Sequence, residues 1–262
     1  MTVLVACAGG FIGAELARAI PGCRSAAHAD AARPGMLDGV GAAVWCGRDP
    51  RLGGEGWKLE DDAEVGFAEA CAAAGVHLLS LGTRKVYAPS AGPLSEDSPL
   101  GPVDAYGRQK LALEQALHGI LGSRLTRLRL ANIFGWEPGR RSFMGQMLAG
   151  LSRDGDIRFD MSPFTRRDFL AAEDAAGLIA ALAADPPGGM VNVGSGLGLE
   201  TGRLAMALIR GFGRGRLVVE RAEERDAFVL DTRRLFWRTG MAVAAGRAEE
   251  VAVGIGERLA RL

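Results

Sequence analysis

Apolar and polar positions along the chain alternate between two periods. Thr2–Ala6 is a continuous apolar run that leads into Gly9-Gly10, the pattern of a buried strand. Phe11–Ile20 follows with helical spacing through Phe11, Leu16 and Ala19. Cys23–Ala29 and Ala42–Cys46 read as further strands, the first of them weak. Asp61–Ala74 predicts a helix with an acidic first turn that suits the positive end of its dipole. Val76–Leu81 predicts a strand, Ala105–Ile120 a helix with Asp104 as N-cap, and Leu125–Ala131 a strand in which Arg and Leu alternate.

This order of strand and helix indicates a Rossmann-like, doubly wound α/β fold, a parallel sheet covered by helices on both faces. After Asn132 the loops lengthen and become Arg-rich. Helices are predicted over Asp174–Ala184, Thr201–Arg210 and Glu249–Leu262, and a strand over Met190–Val193. The expected division is residues 1–165 as a dinucleotide-binding domain and 166–262 as a smaller C-terminal substrate-binding lobe, partly interleaved with the first.

Composition narrows the function. The chain has 262 residues, 48% of them hydrophobic, with 31 basic and 31 acidic side chains and a net charge of zero. Such a chain buries a large core without staples. Zero net charge argues against nucleic acid or an anionic membrane as the main partner. No run approaches the ~18 uncharged apolar residues of a membrane span. The apolar N-terminus lacks a basic leader and is interrupted by Glu15 and Arg18, so the expected location is cytoplasmic. Four cysteines spread singly, with no CxxC, suit buried, reduced thiols, and three scattered histidines give no metal motif. Glycine, at 38 residues, is about twice the roughly 7% of an average protein.

Two features carry chemistry. Cys7-Ala8-Gly9-Gly10-Phe11-Ile12-Gly13 lies between the first strand and first helix, where backbone N–H groups can face a pyrophosphate. Gly10 and Gly13 keep the spacing of a GxxGxxG loop, with Cys7 where its first glycine would fall; a tight turn without a ligand would use the same glycines. Asp30, 17 residues past Gly13, is placed to bond a ribose 2′-OH and so favours NAD over NADP, although Arg33 is close by and a polar turn explains Asp30 equally well. The second feature is Tyr106 and Lys110, among only two tyrosines and three lysines. Their i, i+4 spacing puts them on one helix face, where an ammonium favours the phenolate and lowers the phenol pKa. Thr83, just past an apolar strand, can hydrogen-bond the oxygen that Tyr106 protonates; Ser80, inside the strand, competes for that role.

With these motifs in order, the sequence resembles the extended short-chain dehydrogenase/reductases that act on nucleotide sugars. The matching stretches are Ala8–Gly13, Gly82–Tyr87, Glu96–Pro99 ahead of Tyr106–Lys110, Arg129–Gly135, Arg166–Phe169 followed by Asp174, and Asn192–Gly196. The resemblance implies a catalytic Thr83, Tyr106 and Lys110. It implies cofactor contacts from Cys7, Gly9, Gly10, Phe11, Ile12, Gly13, Asp30, Cys46, Gly47, Leu81 and Ile133, together with Tyr106 and Lys110. It further implies substrate contacts from Lys85, Asn132, Arg167 and Arg225, no metal, and a homodimer built through helices 61–74 and 105–120. Two departures stand out: Cys7 itself, and a stretch between Ile20 and Ala42 too short for the usual elements around the adenine. Arg84 and Lys85 follow Thr83 where 4,6-dehydratases carry Asp-Glu. That leaves 4-ketoreduction or 4-epimerisation, and the short chain resembles the ketoreductases of deoxysugar pathways more, which makes NAD(P)H-dependent reduction of a nucleotide-linked 4-keto-6-deoxysugar the expected activity. A nucleotide-sugar 4-epimerase and a non-catalytic nucleotide sensor on the same fold remain as alternatives.

Overall fold

A computed structural model describes all 262 residues. In chain order its main elements are β1 (Thr2–Ala6), α1 (Phe11–Ala19), β2 (Arg24–Ala26), β3 (Val40–Trp45), α2 (Ala63–Ala74), β4 (His77–Thr83), α3 (Ala105–Leu121), β5 (Leu125–Leu130), β6 (Asn132–Phe134), α4 (Phe143–Asp154), β7 (Asp156–Phe159), β8 (Arg166–Ala171), α5 (Ala172–Ala184), β9 (Gly189–Val193), β10 (Gly198–Glu200), α6 (Thr201–Phe212), β11 (Arg216–Val219), α7 (Arg233–Thr239) and α8 (Arg247–Ala260). Six strands form one parallel sheet in the order β2-β1-β3-β4-β5-β9. Both faces are covered. Val3, Val5, Val44, Leu79 and Leu128 join α1 and α5 in one core. Leu4, Ala6, Ala43, Leu78 and Leu125 join α2 and α3 in another. Strands β1, β3 and β4 are therefore apolar on both sides, as strands inside a doubly wound sheet usually are, whereas β5 turns Arg127 and Arg129 toward α2 and α3. The chain order reverses between β1 and β3, and their C-terminal ends open the crevice where such sheets bind ligands.

A third core is built from α4, α6, α8, β7 and β8. The cores interleave across residue 165: Phe134–Phe159 belong to the second lobe, while α5 and β9 return to the large sheet. Asp104 caps α3 as expected, accepting from Gly107 N at 2.7 Å, and Asp62 caps α2. The weak strand at 23–29 shrinks to three residues on the sheet edge, and residues 27–39 form turns in place of a further helix and strand. Helix α4 lies outside the predicted elements: its two interior glycines dilute the apolar stripe, yet Ser142 caps its start and left-handed Gly155 ends it. Only Cys71 of the four cysteines is buried; the others are half-buried, and all are free thiols. No helix is long and apolar enough to cross a membrane, and no group of three His, Cys, Asp or Glu side chains is placed to hold a metal.

Two close approaches depend on backbone rather than side chains. A Cβ on Gly13 would collide with the Cys7 carbonyl oxygen and sit 3.0 Å from Ala8 Cα, so α1 rests directly on the end of β1. Cys7 pays for this turn with a left-handed φ of +63°, and Gly47 makes room for its sulfur. In the second lobe α6 and α8 cross at Gly211 and Gly256. A Cβ on Gly256 would collide with the Leu208 carbonyl oxygen and lie 2.7 Å from Phe212 N. We expect Gly256→Ala to lower stability by about 2 kcal/mol or more in urea unfolding, because backbone cannot yield as a side chain can. Gly254→Ala, on the open side of the same helix, should raise it by about 0.5–1 kcal/mol. Cys7→Gly should raise stability by about 1 kcal/mol by relieving the left-handed strain; a loss on the same assay would show that the sulfur's packing outweighs it.

Candidate functional site

The crevice at the ends of β1 and β3 is a cleft of about 650 Å³. The glycine loop forms one wall through Cys7, Gly9, Gly10, Phe11 and Ile12, and Cys46, Gly47, Leu81, Tyr106 and Lys110 line the rest. Gly10 is the N-cap of α1 and no side chain caps that helix, so its leading N–H groups face the cleft's end uncapped. Gly9 has open space where a Cβ would be. No carboxylate lines the cleft, while Arg48, Lys110 and Arg140 do. Its chemistry suits an extended anionic ligand.

A smaller pocket of about 250 Å³ adjoins it, lined by Thr83, Asn132, Ile133, Glu137, Ser142, Phe143, Met144 and Phe169. Gly82, Tyr106 and Leu130 line both cavities. Tyr106 thus stands at the partition, with the glycine loop on one side and Thr83 and Asn132 on the other. Thr83 closes β4, and its hydroxyl accepts from Lys85 N at 3.3 Å.

The charges around Tyr106 differ from the expected pairing. Lys110, 3% exposed, donates to the Leu81 carbonyl at 3.3 Å and lies 3.8 Å from Glu64. The cation over the phenol ring is Arg48, at 5.1 Å. Burial pushes the Tyr106 pKa up, opposed first by Arg48 and then by Arg127, so the lowering expected from Lys110 is not what governs this phenol. Burial likewise pulls the Lys110 ammonium down, and Glu64 is the first charge to oppose it. Burial pushes the Cys7 thiol up to about 11 and raises Cys46 further, so neither is a ready thiolate.

Beneath the site runs a buried ionic ladder. Glu64 accepts from Ser80 Oγ and, at 3.2 Å, from Arg127; Arg127 Nε lies 3.7 Å from Glu114; Glu114 accepts from Nε and Nη2 of Arg129. Ser80, the alternative to Thr83, is wholly buried in this ladder and reaches neither cavity. Arg129 stacks 4.7 Å from the Tyr87 ring, and Tyr87 donates to Asn192 at 2.7 Å.

Several expected contacts lie elsewhere. Asp30 sits in an exposed turn, 2.9 Å from Arg33, and lines neither cavity; the shortened 27–39 segment gives it no strand end to ride on, and Ala27 and His28 line the cleft instead. Gly13 is spent on the strand–helix contact beneath the loop. Arg167 turns away to the carbonyls of Arg225 (2.8 Å) and Asp226 (3.1 Å), tying a loop to β8. Arg225 pairs with Asp160 at 3.0 Å on the surface. Lys85 pairs with Asp104 at 2.6 Å and lines a separate cavity of about 450 Å³. These side chains find partners within the chain, which spacing alone does not reveal. The motifs in the sequence do not point to Arg48, Glu137 or Arg140. Arg48 follows Cys46-Gly47, and that proximity is its one available signal.

The protein-family model described as the NAD dependent epimerase/dehydratase family matches residues 63–194, half of the chain. No curated protein sequence matches. Among solved structures, MoeE5 in complex with UDP-glucuronic acid and NAD is similar at 18% identity, with a TM-score of 0.80 over 98% of this chain and 99% of that one. The UDP-N-acetylglucosamine 4-epimerase from Bacillus cereus gives 17% identity and a TM-score of 0.79 over 99% of each chain. The Thermus thermophilus UDP-glucose 4-epimerase complex with NAD gives 19% and 0.78, over 98% of this chain and 99% of that one. At such identities the structures speak for the fold, and the matched half of the sequence speaks for the family: the chain belongs to the NAD dependent epimerase/dehydratase family.

Proposed function

We propose that this chain is an NAD(H)-dependent reductase of a nucleotide-linked keto-sugar. The observation that carries the reading is the position of Tyr106 on the partition between the two cavities, with Thr83 on the smaller side and Lys110 on the larger. The larger cleft fits the dinucleotide: uncapped N–H groups at α1, an open position at Gly9, cationic lining and no carboxylate. Bound NADH supplies a hydride to the sugar carbonyl.

The chain's own residues do the rest. Thr83 orients the carbonyl oxygen. Tyr106 gives that oxygen its proton; burial holds the proton on the phenol, which suits a donor. Arg48 and Lys110 stabilise the phenolate left behind. Asn132 lines the sugar side. Elimination chemistry finds no support after Thr83, because Arg84 stacks 3.8 Å from the Phe228 ring while pairing with Asp226, and Lys85 is held by Asp104. With Asp30 outside the cleft, support for NAD over NADP comes from the family and from the NAD-bound relatives. Assembly as a homodimer through α2 and α3 is part of the same proposal. A 4-epimerase is the second reading, favoured by the likeness to two 4-epimerases.

Tyr106→Phe should reduce turnover at least about 100-fold, the usual worth of a positioned proton donor, while NADH affinity stays within about twofold. Activity at the wild-type level would remove Tyr106 from the mechanism. Incubation with NADH and a panel of nucleotide 4-keto-6-deoxysugars separates the readings. The reductase oxidises one NADH per product, the epimerase interconverts sugars without net NADH loss, and a sensor binds NADH and never oxidises it.

A further inference from the structure

Residues 137–140, Glu-Pro-Gly-Arg, form a tight turn outside every motif discussed above. Arg140 N–H donates to the Glu137 carbonyl at 3.2 Å, and Gly139 has a φ of +76°. Pro then Gly at the two central positions is the signature of a type II turn. The same two end residues also pair through their side chains, with Arg140 Nε 3.2 Å from Glu137 Oε2. The turn is seated on α4 at Gly145, where a Cβ would collide with the Arg140 carbonyl oxygen. Its backbone is thus fixed by turn chemistry and its side chain by a carboxylate that is 2% exposed.

This device carries the guanidinium to one place. Arg140 lies 4.5 Å from the centre of the Phe11 ring, and Phe11 is the first residue of α1. Gly135 packs closely on that ring: a Cβ there would be 3.1 Å from Phe11 Cζ. Arg140 lines the large cleft beside Gly9 and Gly10, yet its side chain is half exposed and has one carboxylate partner. The remaining guanidinium N–H groups are free to take a second anion. Of the three cations lining the cleft, Arg48 and Lys110 serve the Tyr106 end. Of these three, Arg140 is the one that contacts the glycine loop, through the Phe11 ring.

We propose that Arg140 is a ligand for the cofactor's diphosphate, delivered across the cleft from the second lobe and held by Glu137 as its positioning residue. This rests on the reading of the large cleft as the dinucleotide site. A guanidinium offers two parallel N–H donors to phosphate oxygens, and here it adds a full charge to the partial charge of the α1 terminus. The glycine loop departs from its usual pattern at Cys7, and a side-chain cation adds a charge to what the loop's backbone N–H groups supply.

The test titrates the full chain with NADH and with ADP-ribose, which keeps the diphosphate and lacks nicotinamide, at low and high salt. Arg140→Ala should weaken both ligands about tenfold or more, the usual worth of a charge-assisted hydrogen bond, and should flatten the salt dependence. Arg140→Lys should recover part of the loss, and Glu137→Gln should weaken both ligands less than Arg140→Ala. Unchanged thermal unfolding of the Arg140 variants confirms that binding, not folding, is being read. Affinities within twofold of wild type for Arg140→Ala overturn the assignment while leaving the cleft's role intact. If the wild-type chain binds neither NADH nor ADP-ribose, the cofactor reading falls and takes this assignment with it.

Discussion

The site rests on charge buried between the sheet and its helices. β5 is a central strand, and its Arg127 and Arg129 face α2 and α3 rather than water, at 0% and 2% exposure. A buried cation is tolerable only when it is paired and hydrogen-bonded. Glu64 from α2 and Glu114 from α3 meet that demand, and Lys110 shares Glu64. Two helices are thereby pinned to one strand at fixed height, and the helix carrying Tyr106 is one of them. The cluster holds three cations against two carboxylates, and two nitrogens of Arg127, Nε and Nη2, make no hydrogen bond. Arg127 lines neither cavity, yet its charge opposes the burial that pushes the Tyr106 pKa up, while Glu64 of the same cluster adds to the rise. Removing one carboxylate from such a group typically costs about 3–5 kcal/mol, because the charge left behind cannot reach water.

A second constraint is the contact of α1 with the end of β1. Because Gly13 admits the Cys7 carbonyl, the helix starts close against the sheet and its N-terminus opens into the cleft. The strained Cys7 backbone is compatible with this arrangement because Gly47 leaves space for the sulfur. The two residues face each other across the switch point of the sheet, so an unusual side chain just past β1 is matched by a missing one beyond β3.

Much of the large sheet was legible because β1, β3 and β4 are continuous apolar runs and the helices between them have helical spacing, α3 with a clear cap. Asp104 marks a helix start that side-chain chemistry alone predicts, whereas Asp62, within the helix predicted from Asp61, is revealed as a cap by the structure. The second lobe was harder to read. Its strands β6, β7, β10 and β11 run three or four residues, too short for a period to declare itself, and α4 hides its stripe behind glycines. Among candidate site residues, those bound to the ends of β1, β3 and β4 and to α3 arrived in the two cavities, because regular elements carry side chains to calculable places. Asp30, Lys85, Arg167 and Arg225 did not, because each sits on irregular backbone or beside a competing internal partner.

The sequence by itself determined the fold class, the loop that opens α1, and the shared helix face of Tyr106 and Lys110, because each follows from local spacing. The tertiary structure decided which cation stands over the phenol, where the arginines of β5 find their carboxylates, and that Glu137 and Arg140 reach the cleft from the other lobe. Those outcomes depend on partners far apart in the chain, Arg48 with Tyr106, Glu64 with Arg127, Phe11 with Arg140. Long flexible side chains choose among such partners by burial and charge, and only the packed structure sets both.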